Sequence, residues 1–274
     1  MNEIVWRGMT RAELDAAYNN GLAVKNSVEK VAEWTQRSAR LRRDRPDLLD
    51  IPYGPKPRNK IDLFQSGHRN APLFVFIHGG YWQRNSKEVF SCVAEGPLAH
   101  GFDVALIGYT LAPDATLTQI VAEVRSAMQW LRARGLEHGV AENRIVVSGW
   151  SAGGHLTAMA LGEADAGLSI SGVFDIEPCR LSYLDDALHL SEEEIRTLSP
   201  IRQLPERSAP LLITYGEAEL PELQRQSRDY HEARRHAGLP SELMPLSGHD
   251  HFSIIEELAS PDGVLAKTVA RILR

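Results

Sequence analysis

Gly149-Trp150-Ser151-Ala152-Gly153 holds an alcohol at the spacing that nucleophilic chemistry needs. The apolar run Ile145-Val146-Val147 leads into it. A helical run rich in small residues, from Gly153 to Ala160, leads out. A G-x-S-x-G between a strand and a helix is a nucleophile elbow. Its glycines let the turn close where a side chain would strike the neighbouring strand or helix. The serine then stands at the apex with its hydroxyl free, and the helix behind it turns N–H groups toward any negative charge that forms there. Taken alone, five residues could also be a glycine-rich turn without chemistry, so the rest of the chain has to decide.

A serine hydroxyl needs a base to take its proton, a carboxylate to orient the base, and N–H donors for the oxyanion. His78-Gly79-Gly80-Tyr81-Trp82 follows a buried apolar run ending at Ile77 and supplies the donors. The N–H groups of Gly80 and Tyr81 are expected to join that of Ala152, with His78 bracing the loop. The carboxylate is expected after the strand ending at Thr214, where Glu217, Glu219 and Glu222 compete. Glu219 is favoured because it lies in the loop just before Pro221 opens a helix. Glu222 falls on the first helical turn, where an acid is expected for dipole reasons alone. Asp175 is a reserve candidate, better read as pinning its own turn. The base is expected in Ser247-Gly248-His249-Asp250-His251-Phe252, where His249 and His251 are rivals. His155, one turn into the elbow helix, reads as a packed histidine. The four histidines at 78, 155, 249 and 251 show no metal-ligand spacing, and no metal or organic cofactor is expected.

These loops need rigid elements behind them. Leu73–Ile77, Val104–Ile107, Ile145–Val147, Leu168–Ser171 and Leu211–Thr214 read as buried strands, and Lys60–Phe64 alternates as a half-exposed one. Glu242–Leu246 contains Pro245 and belongs at a sheet edge. Between the strands, helices are expected over Lys87–His100, Leu117 to about Gly135, and Pro221–Ala237. Residues 177–205 read as irregular and helical, with a capping signal at Ser191–Glu194, and the C-terminal stretch closes as helix. Alternation of this kind gives a mostly parallel central sheet with helices on both faces. Residues 1–59 form a helical arm of the same domain, and residues 60–274 the main body. The arm carries a capping box at Thr10 and Glu13 and a helix over Val24–Arg43. Val24, Val28, Val31 and Ala32 form that helix's apolar stripe, with Trp34 beside it. The arm could close as a lid, pack outside, or join two copies.

At 274 residues, 43% hydrophobic and with a net charge of −6, the chain suits one large domain. The cluster from Arg37 to Arg45 is interrupted and followed by Asp47, so no nucleic-acid partner is expected. Two cysteines outside any paired spacing fit a reducing cytoplasm. Neither a secretory leader nor a membrane span is expected.

Together these motifs resemble the kynurenine formamidase (arylformamidase) group of α/β-hydrolases, close to hormone-sensitive-lipase-like esterases. The likeness covers most of the chain. It includes Ala17-Tyr18-Asn19-Asn20, Lys60–Phe64, the His78–Trp82 loop, Ser151–Leu156, Pro221–Ser227 and His251–Leu258. It implies the α/β-hydrolase fold and a catalytic serine at Ser151, base at His251 and acid at Glu219. The implied reaction cleaves a small ester or amide, such as an N-formyl arylamine, through an acyl-enzyme. The alternatives are a general short-chain carboxylesterase or, from another class, a binding protein on a hydrolase scaffold. Two departures stand out: glutamate where the family's acid is usually aspartate, and Trp150 where histidine often precedes the nucleophile. Trp150 and Trp82 are expected to line an aromatic-tolerant pocket, although for Trp82 core packing is an equal reading.

Overall fold

The computed structural model describes residues 3–273. The chain opens with a short hairpin, β1 (Ile4–Trp6) and β2 (Met9–Thr10), then helices α1 (Arg11–Ala17), α2 (Asn20–Ala23) and α3 (Ser27–Asp44). Strands β3 (Ile51–Pro52), β4 (Lys60–Phe64) and β5 (Leu73–Ile77) follow. After a 3-10 run over Lys87–Ala94 come α4 (Glu95–Ala99), β6 (Asp103–Ile107), α5 (Leu117–Arg134), β7 (Ile145–Trp150), α6 (Ala152–Ala160) and β8 (Ala166–Ile170). Next are α7 (Glu177–Arg180), α8 (Asp185–Leu188), α9 (Glu192–Leu198), β9 (Leu211–Gly216), α10 (Pro221–His236) and β10 (Ser241–Leu246). Helices α11 (Glu256–Ala259) and α12 (Val264–Val269) end the order.

The sheet runs β10-β9-β8-β7-β5-β6-β4-β3. The strands from β10 to β6 are mutually parallel, and β4 and β3 are antiparallel to their neighbours. Every residue of β5 is buried because both faces are covered. Leu73, Val75 and Ile77 enter the core under α5 and α6, while Phe74 and Phe76 enter the opposite core with Trp34, Phe90 and Phe252. The proline-bearing β10 lies at the edge. The capping boxes at Thr10–Glu13 and Ser191–Glu194 both close. Beyond β5 the chain turns one way to β6, and beyond β7 it turns the other way to β8. That divergence opens a crevice at the carboxyl ends of β5 and β7, where α/β sheets bind their ligands.

Three elements depart from the sequence expectations. Lys87–His100 is not one α-helix. Pro97 has no N–H for the Val93 carbonyl and its ring crowds that oxygen, so the segment divides into the 3-10 run and α4. The stripe on α3 is displaced: Val28 and Ala32 are exposed, and the buried side carries Ser27, Trp34 and Ser38. Ser38 is at home there because its hydroxyl donates to the Val89 carbonyl and accepts the Cys92 N–H. Finally, β4 is buried from Ile61 to Phe64 rather than half-exposed. Asp62 is buried with its charge, held by Lys87 Nζ at 2.8 Å and by Arg42 of α3.

Candidate active site

The elbow forms between β7 and α6 as its glycines require. A Cβ on Gly149 would stand 2.3 Å from the Gly153 carbonyl oxygen, and one on Gly153 would stand 2.0 Å from that of Ile77. Ser151 between them has φ 59°, ψ −119°, a strained conformation for a residue with a side chain. Its N–H donates to the Ile170 carbonyl at 2.8 Å. Ser151 is 2% exposed and lines a cavity of about 540 Å³, together with His251, Gly80, Tyr81 and Trp150.

Register brings the second loop alongside. Ile77 pairs with Gly149, so the chain leaving β5 passes the elbow directly. Gly80, Tyr81 and Trp82 have φ of 115°, 49° and 59°. Outside the regular ladders, no backbone acceptor among the described residues takes the N–H of Gly80, Tyr81 or Ala152. His78 braces this turn. Its Nδ1 donates to the Gly79 carbonyl at 2.9 Å, its ring stacks on Tyr109 with centroids 4.3 Å apart, and burial pushes it down to about 4.

Among the rival acids, Glu219 faces the histidine. Its Oε2 lies 2.8 Å from His251 Nδ1, and its Oε1 accepts the Gly216 N–H at 2.7 Å and the Ser171 hydroxyl at 2.5 Å. Glu222 instead pairs with Arg225 at 2.8 Å. Burial raises its carboxyl, but hydrogen bonds and charge from Arg225 outweigh this and leave it below the ordinary carboxylate range. Asp175 accepts the Glu177 N–H and pairs with Arg202, pinning its turn. Between the rival bases, His251 meets the carboxylate, and its carbonyl accepts the Trp150 indole N–H at 2.7 Å. His249 turns toward Glu257, with Nε2 3.5 Å from Oε1.

Trp82 does not line the cavity. It is fully buried, with its indole N–H donating to His155 Nδ1 at 3.2 Å and the two rings edge-on, 5.0 Å apart. The pocket role expected for it is thus corrected to core packing, because the positive φ at Trp82 accompanies a ring docked on the elbow helix. Trp150 does line the cavity.

Sequence reasoning missed two contributions. Ser171, at φ 52° just beyond β8, fixes the second oxygen of Glu219. Its only sequence signal is its place at a strand's carboxyl end. The other is which residues bring the arm to the site, a place the sequence left open: Asn20, Leu22, Val28 and Val31 all line the cavity. Trp34 of the arm lies edge-on to Trp150 at 5.8 Å and stacks on Phe252 at 6.1 Å, and its N–H donates to Glu256 at 2.6 Å. Among the described residues, no group of three or more His, Cys, Asp or Glu gathers as metal ligands would, and no helix is long and apolar enough to cross a membrane.

The BD-FAE family model matches residues 60–171. Kynurenine formamidase of Drosophila melanogaster is 32% identical over 81% of this chain and 79% of its own. That of Danio rerio is 27% identical over 98% of both chains. A solved structure of a candidate thioesterase from Silicibacter sp. superposes with a TM-score of 0.84 at 27% identity, covering 94% of this chain and 98% of that one.

Proposed function

The chain belongs to the kynurenine formamidase family of hydrolases, and from that membership we propose that it cleaves a short acyl group, formyl above all, from an arylamine, with Ser151, His251 and Glu219 as its catalytic residues. The observation that carries this reading is the 2.8 Å contact between Glu219 and His251 Nδ1, in a residue that shares one cavity wall with Ser151. Holding Nδ1 leaves Nε2 to take the serine proton. The serine oxygen attacks the acyl carbon, and the oxyanion is met by the N–H groups of Gly80, Tyr81 and Ala152. Each such donor stabilises the transition state by about 2.7–4 kcal/mol. The imidazolium then protonates the leaving nitrogen as the carbon–nitrogen bond breaks. Water repeats the cycle on the acyl-serine and releases the acid.

In the same reading the arm belongs to the catalytic domain and serves as a fixed wall of the substrate pocket, supported by Asn20, Leu22, Val28 and Val31 in the lining. Cys92 and Cys179, both free and buried, suit a reducing compartment.

Ser151→Ala is expected to lower kcat on formanilides by a factor on the order of 10⁴ or more, with the thermal midpoint nearly unchanged. His251→Ala is expected to be as severe, whereas His249→Ala retains substantial turnover. Full activity in Ser151→Ala, or the reverse ranking of the histidines, would refute the assignment. Rates on formanilides, acetanilides and short esters, measured side by side, separate a formamidase from a general carboxylesterase.

A further inference from the structure

Three successive residues of the loop after β5, Gly80, Tyr81 and Trp82, have positive φ. Glycine takes such a backbone freely, but two bulky aromatic residues hold it only where their surroundings over-determine it. Each ring has its own anchor. Trp82 docks on the elbow helix, with its indole N–H on His155 of α6. Tyr81 docks on the arm. Its hydroxyl donates to the Tyr18 carbonyl at 2.7 Å and accepts from Asn20 Nδ2 at 3.0 Å, and both contacts are buried. Tyr18 is fixed in turn. Its side chain is fully buried, and its hydroxyl accepts the Gln226 amide of α10 at 2.9 Å. The loop has no slack beside the nucleophile either. A Cβ on Gly79 would stand 2.6 Å from the Trp150 carbonyl oxygen and 3.0 Å from Ser151 Cβ.

We propose that Tyr81 and Asn20 are positioning residues for the oxyanion: the phenol, held by the arm, keeps its own residue's backbone N–H where the negative charge develops. This rests on the function proposed above, in which that N–H is one of the donors. It gives the arm a task beyond walling the pocket. A wall touches the substrate in the ground state as much as in the transition state, so its loss appears in KM. A strut behind an oxyanion donor matters only once the acyl oxygen is charged, so its loss appears in kcat. The phenol takes no part in proton transfer, because its single hydrogen is committed to the Tyr18 carbonyl.

The test is Tyr81→Phe in the full-length protein, assayed on formanilide. The ring stays and one oxygen goes. The kcat is expected to fall about tenfold, part of the roughly 10²–10³ that outright loss of such a donor costs, with KM changed by less than about twofold. Inhibition by phenyl trifluoromethyl ketone, whose adduct on Ser151 carries an oxyanion, is expected to weaken by the same factor. Asn20→Ala is expected to move kcat and inhibition in the same direction. The double variant is expected to lose no more than Tyr81→Phe alone, since both substitutions act through one phenol. A kcat within about twofold of wild type, or a loss confined to KM, would overturn the proposal and leave the arm as a wall only. If Tyr81→Phe does not fold, Asn20→Ala decides by the same measurements. A wild type that turns over no formanilide and takes no fluorophosphonate label at Ser151 rejects the proposed function itself, and this inference with it.

Discussion

Two buried histidines contribute to how the protein responds to acid between their ordinary and shifted values. His155 donates from Nε2 to the Leu198 carbonyl at 2.7 Å and accepts the Trp82 N–H on Nδ1. The neutral ring satisfies both partners, and a second proton has nowhere to go. Burial pushes His155 and His78 each down to about 4 from an ordinary 6.5. The folded state therefore binds fewer protons than the unfolded chain between those values, and stability rises with pH across them. The contribution, on the order of 3 kcal/mol for each ring, is complete above 6.5 and is lost as pH falls toward 4. The thermal midpoint is expected to drop over that interval, and to drop less steeply in His155→Gln. Parallel curves for the two proteins would show that His155 contributes nothing. At this scale placement was legible where residue type and loop position go together: the strained elbow conformation at Ser151, Glu219 set against His251, and His155 as a packed residue could be read from the sequence. Trp82 could not be assigned, since an indole looks the same in a list of residues whether it faces a ligand or a helix.

The elements around the site are tied together by charge as well as by apolar packing. Asp62 on β4 accepts from Arg42 of α3, from Lys87 beyond the Gly80 loop, and from the Asp50 N–H. Arm, sheet edge and the 3-10 run over Lys87–Ala94 thus share one buried carboxylate. Asp62→Asn leaves the Lys87 ammonium, 3% exposed, with Asp50 and Glu88 but without its buried partner, and is expected to destabilise the fold by about 1–3 kcal/mol in urea unfolding. Combining it with Lys87→Met is expected to restore part of the loss. A single variant within 1 kcal/mol of wild type, on the order of a surface substitution, would show the network to be dispensable. This knot explains why β4 reads as half-exposed: Asp62 supplies the polar beat of an alternating pattern, and only the tertiary partners show that its charge is buried. The division of Lys87–His100 was in principle legible, because Pro97 was in plain sight.

Across the whole molecule, the strand and helix alternation sufficed to give a mostly parallel sheet, and the sheet order explains why the loops after β5, β7, β9 and β10 converge. What remained illegible was the arm's place. Leu22 and Val28 are 84% and 77% exposed, and residues that edge a cavity have no periodic signature of their own. The arm's burial is a long-range matter. Trp34 is covered by Phe252 and bonded by Glu256, more than 200 positions later. A chain growing on the ribosome makes the indole more than 200 residues before these two companions. Until they emerge, the Trp34 indole of α3 has only part of its docking site, and such delayed, distant pairing is slow and prone to intermolecular sticking. Removal of the segment that carries Phe252 and Glu256 should thus be felt first at α3, as an arm that never seats.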